Sequence, residues 1–178
     1  MSPTYQNGPS TQVQKEETLG PHVELPFETS EYFDRQELLF SQLPSSSIVI
    51  IPTNERKTRS NDVGYPYRPN SYMLYLCGWK EDEGVFVVHN RNGTIESKLF
   101  VPPRDTTKEI WEGIRIGVQG AESWPVHTTS SIENFESEIA QMIGQFDNVY
   151  AILGISKELD KICSLVEGIS DPRTILDP

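Results

Sequence analysis

A single α/β domain built on one mixed sheet of about six strands, flanked by helices, is the fold this sequence predicts. Three observations predict it: a β-branched apolar run at residues 47–52, further strand-like runs close behind it, and a helical stripe after Ser130 followed by another apolar run at 148–154.

The elements follow in chain order. Residues 1–27 are rich in Ser, Thr, Gln, Pro and Gly without a hydrophobic period, which predicts a flexible N-terminal arm. Between 29 and 43, Tyr32, Leu39, Phe40 and Leu43 recur at helical spacing, Thr29 or Ser30 can cap the start, and Pro44 ends the run. Residues 47–52 (Ser-Ile-Val-Ile-Ile-Pro) are continuously apolar, as a strand buried on both faces requires. Three more strands are expected at 73–77, 84–89 and 97–101. The turn-like linkers Lys80-Glu81-Asp82-Glu83 and Asn90-Arg91-Asn92-Gly93 would make them an antiparallel meander. Short helical segments are expected at 107–111 and 115–121. After Ser130 a capping box with Glu133 opens a helix whose stripe is Ile132, Phe135, Ile139, Met142, Ile143 and Phe146. A buried strand at 148–154 and a helix at 157–166 complete the domain, taken as 28–168; residues 169–178 read as the start of a linker.

Composition excludes several functions. Fifteen Lys+Arg stand against 26 Asp+Glu, a formal charge of −11, and no basic cluster could neutralise a run of phosphates. Nucleic acid and anionic membranes are therefore not expected partners. No apolar stretch approaches the roughly 20 residues of a membrane helix. The first 30 residues have no apolar signal core, and Lys15 is their only basic residue, so a cytoplasmic location is expected. Cys77 and Cys163 belong to no CxxC pair and read as reduced, buried thiols. Asn92-Gly93-Thr94 fits a glycosylation sequon but reads as a turn.

Few residues suggest chemistry of their own. His22, His89 and His127 share no metal-ligand spacing, and there is no GxSxG elbow or local Cys/His signature. Gly113, Gly117 and Gly120 do not form a GxGxxG fingerprint after a strand. The acidic run Glu81-Asp82-Glu83 falls in an expected turn, where a solvated surface is the simpler reading than a cation site.

The loop Arg59-Ser60-Asn61-Asp62-Val63-Gly64-Tyr65-Pro66-Tyr67-Arg68-Pro69-Asn70-Ser71 is different, because it is dense in aromatic and hydrogen-bonding side chains between two expected strands. With Tyr75-Leu76-Cys77-Gly78-Trp79, Arg104-Asp105, and Glu109-Ile110-Trp111-Glu112-Gly113 followed by Arg115, it resembles the N-terminal domain of aminopeptidase P, the Xaa-Pro aminopeptidase family. The resemblance runs from about residue 29 to 154, with the motifs in order. Tyr72, and an acidic run without the usual Glu-Pro, depart from the pattern and bear on subfamily. A related domain precedes prolidase and creatinase catalytic domains; Arg104-Asp105 and the Glu109 to Gly117 motif favour the aminopeptidase branch.

What the resemblance implies is specific. Its fold is the creatinase N-terminal, ribonuclease H-like one, an analogy of fold that carries no nuclease activity. In the family a following pita-bread domain holds two divalent ions, usually manganese, on two Asp, one His and two Glu, and these activate water against the bond before proline. That constellation is not in this sequence, so the chain alone is expected to bind no metal and to be inactive. The resemblance further implies that Asp62, supported by Arg59 and Tyr67, faces the substrate cleft, that Trp111 reaches a neighbouring subunit's active site, and that the enzyme is a homo-oligomer acting on peptides with proline in second position. A carboxylate can order a substrate amine, and an indole packs well on a proline ring. The alternative is a stand-alone interaction module without peptidase activity. Trp111 sits among polar neighbours beside Gly113, which predicts an exposed indole rather than a core one.

Overall fold

A computed structural model describes residues 25–60 and 63–176. Strand β1 (Ser47–Pro52) is buried at every position, and its alternating side chains feed two separate cores. Val49 and Ile51 join Phe86, Val88, Leu99 and Val101 on one face. Ile48 and Ile50 join Val85, Val87 and Phe100 on the other. This period-two split is why the run contains no polar residue between Ser47 and Pro52.

The main sheet adds β4 (Val85–Arg91), β5 (Thr94–Val101), β6 (Thr128–Ser131) and β7 (Asn148–Ala151) to β1, in the order β6-β5-β4-β1-β7. The β1–β4 and β4–β5 pairs are antiparallel, whereas β1–β7 and β5–β6 are parallel, so the sheet is mixed as the sequence predicts. It has five strands; a two-stranded ribbon of β2 (Thr58–Ser60) and β3 (Val63–Gly64) stands apart from it. Helices α1 (Thr29–Ser41), α2 (Ser71–Cys77) and α4 (Gly117–Ala121) contribute Leu39, Phe40, Met73, Leu76 and Ala121 to the first core. Helices α5 (Phe135–Ile143) and α6 (Lys157–Cys163) contribute Phe135, Ile139, Ile143, Leu159 and Ile162 to the second. A further helix, α3 (Thr106–Glu112), lies between β5 and α4. Past α6, Ser170 bridges to Tyr150 beside β7, and α7 (Arg173–Leu176) brings Ile175 and Leu176 onto the first core.

Several expectations change. Residues 73–77 are helical, not a strand: Asn70 caps α2 by accepting the Tyr72 N–H, Gly78 closes it with a left-handed φ of 70°, and Met73, Leu76 and Cys77 share the buried face. The expected meander is therefore only the β4–β5 hairpin, turned by Asn92 and Gly93 at φ 54° and 84°. Ser130 lies in β6, where its hydroxyl donates to Glu138, and the cap falls to Ser131, which accepts the Glu133 N–H of a 3₁₀ turn at Ile132–Asn134. The strand β6 was not legible because Thr-Thr-Ser-Ser carries no apolar alternation. Helix α1 starts without a side-chain cap, so neither Thr29 nor Ser30 plays that part. Cys77 and Cys163 are free and buried. The N-terminal arm lies outside the described residues up to residue 24, and with it His22. No helix among the described residues is long and apolar enough to cross a membrane.

Candidate functional site

Strand polarity gathers the unusual residues at one end of the sheet. Because β1 and β5 each run antiparallel to β4, they run parallel to one another. The loop leaving β1, the segment leaving β5 and the acidic run entering β4 therefore emerge together.

The loop after β1 is fixed at both ends. Thr53 N–H donates to the Gly84 carbonyl at 2.8 Å, and Gly84 N–H donates to the Thr53 hydroxyl at 3.0 Å. At its far end the Asn70 amide donates to the Pro52 carbonyl at 3.0 Å. Between them, Arg56 pairs with Asp82 and stands over the Tyr67 ring at 5.6 Å. The half-buried Tyr67 hydroxyl donates to the Glu81 carbonyl at 3.3 Å. Burial, reinforced by the Asp82 charge, pushes that hydroxyl up to about 12. Tyr67 is therefore a neutral hydrogen-bonding group at physiological pH. Tyr65, Tyr67, Arg68, Tyr72, Ile155 and Arg173 line a cleft of about 740 Å³.

The segment after β5 carries α3. Asp105 caps it by accepting the Thr107 and Lys108 N–H groups at 2.9 and 3.3 Å. Arg104 grips Glu109 with two hydrogen bonds of 2.8 and 2.9 Å, which hold the Glu109 carboxyl below the usual range. The chain then returns over the acidic run: Arg115 donates to Glu83 at 2.9 Å and stands 3.8 Å from Asp82, and Ile116 N–H donates to Glu81 at 3.2 Å. Burial pushes the Glu81 carboxyl up against these favourable partners. This segment exposes three large apolar side chains: Ile110 is 76%, Trp111 87% and Ile114 67% exposed.

Of the four residues singled out from the sequence, three are described, and they lie on different segments. Trp111 is exposed at the tip of α3, as its polar neighbours predict. Tyr67 is half-buried beside the acidic run to which the segment after α3 is also tied. Arg59 is exposed on β2. Asp62 falls outside the described residues. Sequence reasoning missed the connecting groups. The run Glu81-Asp82-Glu83 is not a solvated turn: Asp82 is 5% exposed and braced by Arg56 and Arg115. Two arginines set against this run, Arg56 and Arg115, were the available signal, but their partners are 26 and 32 residues away along the chain. Among the described residues no group of three or more His, Cys, Asp and Glu could hold a metal.

Comparison with known proteins places this geometry. The sequence matches the family described as "Aminopeptidase P, N-terminal domain" over residues 32–150. It is 34% identical over 158 residues to the Xaa-Pro aminopeptidase of Escherichia coli, covering 83% of this chain and 36% of that protein. It is 32% identical over 124 residues to intermediate cleaving peptidase 55 of Saccharomyces cerevisiae, covering 67% of this chain and 24% of that one. The fold superposes on aminopeptidase P from E. coli with a TM-score of 0.75 at 29% identity, over 84% of this chain and 38% of that chain. The proline aminopeptidase from Yersinia pestis gives 0.76 at 27% identity, with the same coverage. The chain thus spans between about a quarter and little more than a third of these proteins.

Proposed function

The chain belongs to the aminopeptidase P N-terminal domain family, and from that membership we propose that it serves a manganese-dependent Xaa-Pro aminopeptidase as the non-catalytic domain that borders the substrate cleft and helps assemble subunits. Hydrolysis of the bond before proline falls to a catalytic domain outside this sequence, where the two metal ions activate water. The residues of this chain would bind and orient. Tyr67 offers a neutral hydroxyl beside the cleft, and Arg59 and Asp62 offer charges that can order the substrate's termini.

The observation that carries the reading is the apolar tip of α3. A helix of seven residues that turns Ile110 and Trp111 outward, with Ile114 just beyond, leaves apolar surface whose burial needs a partner. An indole is suited to packing on a proline ring, and a second copy of the enzyme would place it there. The free, buried thiols of Cys77 and Cys163 favour a reducing compartment, for which we propose the cytoplasm.

The division of labour is tested by incubating the purified chain with manganese and an Xaa-Pro peptide. No release of the first residue is expected. Manganese-dependent release by this chain would overturn the assignment of chemistry to another domain.

A further inference from the structure

Helix α3 has no apolar anchor. Among its described side chains every one is exposed except Glu109. A helix of this length does not hold itself together in water and normally docks through an apolar stripe. Here Ile110 and Trp111 point away from the body, so docking must come from elsewhere. The Glu109 carboxylate provides it. One oxygen accepts from Arg104 Nε at 2.8 Å and from the Arg115 N–H at 3.3 Å, and the other accepts from Arg104 at 2.9 Å. Both partners are themselves fixed. A Cβ on Gly117 would sit 2.4 Å from the Arg104 Cγ, so the arginine stem lies directly on that glycine. Arg115 and its neighbour Ile116 are tied to Glu83 and Glu81.

We propose that Glu109 is the positioning residue for Trp111: its carboxylate, clamped between Arg104 and the Arg115 backbone, docks α3 on the acidic run and so fixes where the indole is presented. The same run receives Arg56 and Tyr67 from the loop after β1. Glu81, Asp82 and Glu83 are therefore a shared base that sets the spacing between the Tyr67 side of the cleft and the Trp111 tip. The consequence for catalysis rests on the reading of Trp111 as a cleft residue; the docking of α3 does not.

Two variants test it from opposite sides: Glu109→Gln, which keeps the shape but loses the charge, and Arg104→Gln, which removes the partner. The first readout is the backbone ¹⁵N order parameter of Trp111 in the chain. It should fall from about 0.85 to below about 0.6 in both variants, with the order of β1 and β4 unchanged. The second is kcat/KM for an Xaa-Pro peptide in the longer enzyme that contains this chain. It should drop roughly ten- to a hundredfold, as misplacement of a positioning group does. If Trp111 keeps its wild-type order in both variants, the proposal is overturned. If order falls in both while hydrolysis is unchanged, Glu109 docks α3 as proposed and the assignment of Trp111 to the cleft is what fails. Should one variant not fold, the other reads the same contact.

Discussion

The Asn70 side chain donates to the Pro52 carbonyl at 3.0 Å while accepting the Tyr72 N–H at 2.9 Å, so one buried residue closes the end of β1 and starts α2. Asn70→Ala removes the helix cap and leaves a buried carbonyl without its donor. A loss of about 2 to 3 kcal/mol is expected in urea denaturation. Asn70→Asp keeps the cap acceptor but turns an oxygen toward the carbonyl, and should also destabilise. A change in Asn70→Ala below about 0.5 kcal/mol would mean that the contact does not tie the two elements.

The three tryptophans are predicted to behave oppositely. Trp79 and Trp124 are 1% and 4% exposed and meet edge to face with centroids 5.0 Å apart. Trp124→Ala should cost about 3 to 5 kcal/mol. Trp111→Ala should change the stability of the chain by no more than about 0.5 kcal/mol. Equal losses in thermal or urea melts would contradict the placement of Trp111.

Stability should fall at alkaline pH. Burial raises Tyr67 from 10.0 to about 12, Cys77 from 9.0 to about 12 and Cys163 from 9.0 to about 11. Each is an acid held in its neutral, protonated form, so its contribution is complete below the unfolded value and is lost as pH rises through the folded one. The urea midpoint should be level up to pH 9 and decline from there to pH 12. A midpoint that stays level to pH 12 would show that these groups ionise without penalty.

Gly117→Ala should loosen the region around α3 without touching the sheet. Gly117 has φ +69°, which an L side chain adopts at a cost of about 1 kcal/mol, and the new methyl would displace Arg104. Faster amide hydrogen exchange at Gly113 and Arg115, with β1 and β4 unchanged, is the expected result. Unchanged exchange at both would separate Arg104 from the docking of α3.

How much was legible follows from which forces are local. The run Ile48 to Ile51 declared a strand buried on both faces because four successive β-branched residues favour the extended chain and leave no polar face. Ile139 and Ile143 declared the α5 stripe by their spacing, although the helix begins at Phe135, after β6 takes Ser130. Met73 to Cys77 misled because five apolar or aromatic residues fit a strand as well as a short helix. The deciding groups, Asn70 and Gly78, stood just outside the run. The candidate site residues were singled out by the density of the 59–71 loop and by motif resemblance. The ties between Arg56, Arg115 and the acidic run depend on strand polarity bringing distant segments to one end of the sheet, and no spacing along the chain encodes that.

The most direct measurement pairs activity with melting for Trp111→Ala in the enzyme that contains this chain. A cleft residue predicts kcat/KM for an Xaa-Pro peptide roughly ten- to a hundredfold lower, with a melting temperature within about 2 °C of wild type. Unchanged kcat/KM, or activity lost together with a large fall in melting temperature, would contradict it.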